Sequence, residues 1–169
     1  MTKLRIKRVC APLAAALALA PAPAWPAEGT IVGTWRLVSM TARDAATGKE
    51  SDVWGERPLG FLSYTPAGRM SAVVAKADRK ISADSAGRAT QEEQAALFRD
   101  SFGYAGRYTL TDDGVVHHVE VASDPTWIGN DQRRLTRMEG NRLTVTSPPV
   151  ASAASAEPQA FVLVWERVE

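Results

Sequence analysis

The stretch Ile31–Met40, Ile-Val-Gly-Thr-Trp-Arg-Leu-Val-Ser-Met, sets what the rest of the chain must fold around. It reads as the first strand of a small antiparallel barrel. Gly33, two residues before Trp35, lets the backbone bend as it enters the strand, so the indole turns inward and plugs one end. A second tryptophan, Trp165, lies in the last strand-like run, Gln159–Val168, where Phe161, Leu163 and Trp165 alternate with Val162, Val164 and Glu166. Tryptophan in both the first and the last strand argues that the sheet curls back and closes on itself.

Between these two runs the chain is punctuated by turns. Leu59–Tyr64 and Arg69–Val74 flank Thr65-Pro66-Ala67-Gly68, where proline presets φ and glycine accepts a positive φ, so the two runs form a hairpin. Tyr104–Thr111 and Val115–Ala122 flank Asp112-Asp113-Gly114, and Gln132–Met138 and Arg142–Thr146 flank Glu139-Gly140-Asn141, giving two more. Thr41–Lys49 reads as a turn, Val53-Trp54 as a short strand, and Lys76–Thr90 as a surface loop over the barrel mouth. Thr90-Gln91-Glu92-Glu93 is a capping-box pattern, and the spacing of Ala95, Ala96, Phe98, Arg99 and Phe102 predicts one helix over Gln91–Phe102. Ser147-Pro148-Pro149 breaks the chain, and the Ala- and Ser-rich stretch to Pro158 reads as a flexible connection.

A chain of 169 residues has room for one domain, here 28–169, with a core large enough to need neither disulfide nor metal. Residues 1–27 have the layout of a secretory signal: Lys3, Arg5, Lys7 and Arg8, the apolar run Ala11–Ala20, then small residues. Ala22-Pro23-Ala24 offers a cleavage pattern, which places the mature start between Trp25 and Glu28 and the protein in the periplasm or outside the cell. The apolar run is about half the roughly 20 residues that span a bilayer, so no stable membrane anchor is expected after cleavage. Cys10 lies in the leader and is the only cysteine, so the mature chain is expected to have no disulfide, thiolate or cysteine zinc chemistry. Losing the four leader cations leaves 16 Lys and Arg against 19 Asp and Glu, a formal charge of −3. No basic cluster survives to neutralise several phosphates together, so nucleic acid is not an expected partner.

Over about Ile31–Val168 the chain resembles the bacterial and fungal family of lipocalin-like domain proteins. The matching pieces, in order, are Val32-Gly33-Thr34-Trp35-Arg36-Leu37-Val38-Ser39, Tyr64–Ser71, Tyr104-Ala105-Gly106-Arg107-Tyr108, His117–Val121, Pro125–Gly129 and Val164-Trp165-Glu166-Arg167. The resemblance implies a mainly β fold: a closed antiparallel lipocalin-like barrel of about eight to ten strands with one helix and a central cavity. It brings no catalytic residues with it. The Gly-x-Trp start is also similar to that of the lipocalins proper, in which an arginine from the barrel's end lies over the buried tryptophan. That implies a structural role for Trp35 covered by Arg167. The long disulfide-pinned loops of secreted animal lipocalins are absent, which argues against a retinoid-type ligand.

His117-His118-Val119-Glu120 is the densest set of titratable groups. Strand alternation gives His117 a face with Val115, Val119 and Val121, and gives His118 the other face with Val116 and Glu120, so the two histidines do not both line one cavity. Apolar company points His117 inward. A polar cavity would instead take His118 with Glu120, an imidazole and carboxylate able to shuttle a proton. The plainest reading makes one histidine a hydrogen-bonded wall residue and the other solvated. Two histidines on opposite faces make a poor metal set, and no cofactor is expected. Tyr104 and Tyr108 share a strand face across Gly106 and would give a cavity apolar walls with hydroxyl tips, or else pack as ordinary core; Tyr64 and Met70 would extend the same wall. Trp127 in its loop is either a lip that touches ligand or a peg that seals the barrel. The leading expectation is a carrier or binding protein that encloses a small, largely apolar molecule. The alternatives are a cofactor-independent isomerase, cyclase or lyase using His118 and Glu120, and a solid barrel serving as an interaction module. Nothing in the sequence sets an oligomeric state.

Overall fold

The computed structural model of the protein describes residues 30–152 and 155–168; the expected leader, with Cys10, lies outside the described residues. The strands are β1 (Gly33–Asp44), β2 (Glu50–Asp52), β3 (Leu59–Tyr64), β4 (Arg69–Ala75), β5 (Ser101–Thr111), β6 (Gly114–Ala122), β7 (Asp131–Glu139), β8 (Arg142–Thr146), β9 (Val150–Ser152) and β10 (Ser155–Arg167). All neighbours pair antiparallel in the order β2-β1-β3-β4-β5-β6-β7-β8-β10-β9, and a further pairing of β1 with β10 closes the sheet. Eight strands therefore form the barrel wall, and the three-residue β2 and β9 flank the seam.

One helix, α1 (Gln91–Arg99), crosses between β4 and β5. Its start is built as the sequence predicts: the Thr90 hydroxyl accepts from the Glu93 N–H, and the Glu93 carboxylate accepts from the Thr90 N–H. Its end is not. The helix stops at Arg99, and Phe102 and Gly103 pair with Val74 and Val73 of β4. A continuous strand ladder has displaced the last helical turn, which offers one face of contact against a full row of hydrogen bonds. Two other segments also differ. β1 runs on through the expected turn to Asp44, whose carboxylate caps the Ala46 and Thr47 N–H groups at 3.0 and 2.7 Å. Its extra length supplies ladder partners up to Asp44 opposite Gln159, and the expected flexible connection instead forms β9 and the start of β10, with Ser152 paired to Ser155 and the Ala45 N–H donating to the Pro158 carbonyl at 3.0 Å. The short strand falls at Glu50–Asp52, opposite Arg43–Thr41, and not at Val53-Trp54.

The closed end is made by β1 and β10 together. Trp35 is fully buried, and its indole N–H donates to the Ile31 carbonyl at 2.8 Å. Arg167, directly opposite Trp35 in the ladder, lays its guanidinium 4.1 Å from the indole centroid. The same guanidinium donates to the Val32 carbonyl at 2.7 Å and to the Thr30 carbonyl. Three carbonyls and one ring are thus tied across the floor. Gly33 makes the approach: its φ of 136° lies where side-chain-bearing residues rarely go.

A bulge in β6 sets which side chains enter the barrel. Ala105 pairs with Val121 and the next residue, Gly106, with Val119, so Glu120 is one residue too many. The bulge fits because Gly106 has no side chain; a Cβ there would sit 1.9 Å from the His118 carbonyl oxygen. Val119 still faces in, but Val121 is 58% exposed and does not share the His117 face, contrary to the simple alternation.

If Arg167 holds the floor shut, Arg167→Met should lower unfolding free energy by about 1–3 kcal/mol. Arg36→Met, which removes an exposed ion pair to Glu166 on the same two strands, should stay within about 0.5 kcal/mol. Denaturant melts of the two variants check this; equal effects would remove the floor's special role.

Candidate functional site

Above the floor the barrel is hollow. A cavity of about 400 Å³ extends from Trp165 and Leu62 in the interior to Trp54, Phe98 and Trp127 at the end away from Trp35. Its upper wall is aromatic. Phe102 lies 5.8 Å from Trp54, 5.9 Å from Trp127 and 6.3 Å from Tyr104, and Tyr104 meets Trp127 edge-on at 5.3 Å. Trp127 is held by a turn at Pro125–Trp127, where the Asp124 carboxylate accepts from the Thr126 N–H and hydroxyl at 2.9 and 2.7 Å. Half-buried, it forms part of the cavity rim.

His117 stands in the cavity wall, 1% exposed, between two tyrosines. Its Nε2 is 2.7 Å from the Tyr64 hydroxyl and its Nδ1 is 2.9 Å from the Tyr104 hydroxyl. Burial pushes its pKa down to about 3, helped by the positive charge of Arg134. Burial likewise holds the Tyr64 hydroxyl well above its ordinary range and raises Tyr104, with Arg134 pulling the Tyr104 value the other way. The triad is neutral at pH 7, so one ring nitrogen donates and the other accepts. Tyr64 is 2% exposed and absent from the cavity surface, with His117 as its hydroxyl's partner among the described residues. Its proton is satisfied only if it donates to Nε2. Nδ1–H then donates to the Tyr104 oxygen, which leaves the Tyr104 proton available on the cavity side.

The other candidates fall elsewhere. Met70 is buried in the core beside Tyr64 and is not on the cavity wall. Tyr108 packs edge-on to Tyr64 at 4.9 Å and donates to the Thr65 carbonyl at 2.9 Å, so it buttresses the floor side of the barrel. His118 and Glu120 face outward and do not pair. His118 Nδ1 is 2.7 Å from Asp131 and its Nε2 is 2.9 Å from the Thr109 hydroxyl. Glu120 bridges Arg69 and Arg107 at 2.8 and 3.0 Å. Alternation sends His118 and Glu120 out together once His117 faces in, and the bulge adds Val121 to the outer face, so neither polar group reaches the cavity.

Sequence reasoning passed over Arg134, Gln132 and Phe102, all of which line the cavity. Phe102 was assigned to the helix. The signal for the other two lay in β7: Met138 packs on the core, and counting back by twos gives Thr136, Arg134 and Gln132 on the inner face.

This geometry agrees with the comparison to known proteins. A family model described as a lipocalin-like domain matches residues 32–168. The chain belongs to the lipocalin-like domain family. It is also similar to a 4'-hydroxy-3'-methoxypropiophenone carrier protein of Aspergillus oryzae (strain ATCC 42149 / RIB 40), at 31% identity over 87 residues, 47% of this chain and 78% of that relative. The family match and the carrier relative support ligand binding within this lipocalin-like barrel.

The neutral histidine carries a pH signature. Its folded pKa of about 3 lies below the ordinary 6.5, so its contribution is complete above pH 6.5 and is lost as pH falls toward 3. Between about pH 6.5 and 5, above the carboxylate range, wild-type stability should fall by at most about 1.4 kcal/mol per pH unit more than that of His117→Gln. At pH 7 His117→Leu, which strands two hydroxyls, should cost about 2–4 kcal/mol. Parallel slopes for wild type and His117→Gln in urea melts would contradict a buried neutral imidazole.

Proposed function

We propose that this lipocalin-like protein is a carrier or binding protein that takes one small, largely apolar molecule into its barrel. The observation that carries this reading is the cavity itself: about 400 Å³, walled by Phe102, Trp54, Trp127, Leu163 and Val145, with few polar groups deep inside. Aromatic walls of this kind suit a flat ligand, gaining ring contacts beyond simple burial. The Aspergillus relative is named for carrying an aromatic ketone, which is a molecule of this type. The reading includes export to the periplasm or beyond, supported by the basic head and apolar run of residues 1–27.

Proton-transfer chemistry has lost its acting pair. His118 and Glu120 are engaged on the outer face, and His117, with a pKa near 3, is a weak base at neutral pH. A solid interaction barrel does not fit a hollow interior of this size.

The mature protein should bind N-phenylnaphthylamine, a neutral apolar fluorophore, saturably and one-to-one at micromolar concentrations. Ala122→Phe, which places a ring on the cavity rim at a half-buried position, should abolish that binding, with circular dichroism checking that the fold is retained. Absence of saturable binding, or binding unaffected by Ala122→Phe, would overturn the reading.

A further inference from the structure

The polar groups of the cavity are unequal in kind. Arg134 projects inward from β7 and lines the cavity, its guanidinium 6.0 Å from the Trp127 ring centroid. Its hydrogen-bond partners are uncharged: the Arg133 carbonyl at 2.8 Å, the Gln132 side-chain oxygen at 3.2 Å and, within reach, the Tyr104 hydroxyl. Among the described residues every ion pair belongs to another cation. Asp124, the carboxylate on the cavity lining, is at the rim and accepts from Thr126; Arg99 at the same rim adds a further positive charge. The titratable groups near the guanidinium, Tyr64, Tyr104 and His117, are all uncharged at neutral pH.

A second observation points the same way. Trp165, 2% exposed and on the cavity wall, has the one buried side-chain polar atom without a hydrogen-bond partner among the described residues, its indole N–H. Tyr104 offers its proton to the cavity because its oxygen already accepts from His117. The Gln132 oxygen is taken by Arg134, leaving its amide N–H groups. Arginine, tyrosine and glutamine therefore present donors toward the hollow, Trp165 holds an unused N–H behind its wall, and among the described residues the carboxylate on the lining, Asp124, is engaged by Thr126. A donor-rich, positively charged patch in an apolar hollow is complementary to an acceptor that carries negative charge.

We propose that the ligand's polar end is an anionic oxygen group, a carboxylate, sulfonate or phenolate, bound by Arg134, and that Arg134 is the specificity-determining residue of the cavity. This rests on the binding reading above and sharpens it. The apolar body fills the aromatic region, and the anion neutralises a guanidinium that has no ion-pair partner among the described residues.

Two fluorophores separate the claims. Anilinonaphthalene sulfonate and N-phenylnaphthylamine share one aromatic body and differ by the sulfonate. Wild-type mature protein should bind the sulfonate the more tightly. Arg134→Met should weaken the sulfonate by about tenfold or more and leave the neutral probe within about twofold. Arg134→Lys, which keeps the charge and guards against a folding defect in the first variant, should recover part of the loss for the sulfonate alone. If the neutral probe binds and Arg134→Met weakens both probes equally or neither, the assignment of Arg134 is wrong while the cavity reading stands. If wild type binds neither probe, both fall.

Discussion

The contact on which the rest depends is the stack of Arg167 over Trp35, because it joins the first strand to the last at the place where the barrel must close. A guanidinium 4.1 Å from a buried indole, with its N–H groups on the Thr30 and Val32 carbonyls, seals a floor that would otherwise expose a large ring and unpaired backbone to water. Closure also removes the two long edges that a flat sheet of these strands would carry. Once the floor is sealed by side chains from one end, the remaining interior volume is left open toward the other. A hollow barrel with one mouth is thus a consequence of where the two tryptophans and the arginine fall.

Inside that hollow, His117 is the pivot between the packed and the open halves. Tyr64 holds it from the floor side and Tyr104 from the cavity side, so one imidazole satisfies two buried hydroxyls and fixes the direction of a third bond. Keeping the ring neutral costs less than burying an imidazolium beside Arg134, and the depressed pKa is the expression of that preference. The bulge at Glu120 completes the arrangement. It lets His117 and Val119 face inward, then keeps Val121 on the outer face with Glu120 and returns Ala122 to the rim.

Much of the fold was legible from residue patterns. The alternation in β3, β4, β5 and β7, the Pro-Ala-Gly and Asp-Gly turns, the capping box and the paired tryptophans each express local physics that tertiary structure did not override. The failures share a cause. Phe102 and the Ser155–Pro158 stretch have weak local preferences, and each was decided by a backbone partner: Val74 of β4 for Phe102, and Ser152 of β9 with the Ala45 N–H for the ends of the stretch. The site was half legible. Tyr104, the inward turn of His117 and the outward turn of His118 and Glu120 follow from alternation, whereas the outward turn of Val121 depends on a bulge that only the close packing of Gly106 on His118 reveals. Arg134 was missed because an inward arginine is disfavoured on burial grounds, and the phase of β7 outweighs that preference.

A barrel sealed by Arg167 and Trp35 and hollow above His117 makes a spatial claim: a ligand enters the interior and not a groove on the outer sheet. Methyl-resolved NMR of the mature protein titrated with N-phenylnaphthylamine tests that most directly. The account predicts shifts at Met40, Val145 and Leu163 on the cavity wall, with Val73 and Val121 on the outer surface unmoved. Shifts at Val73 and Val121 with the interior methyls silent would contradict it.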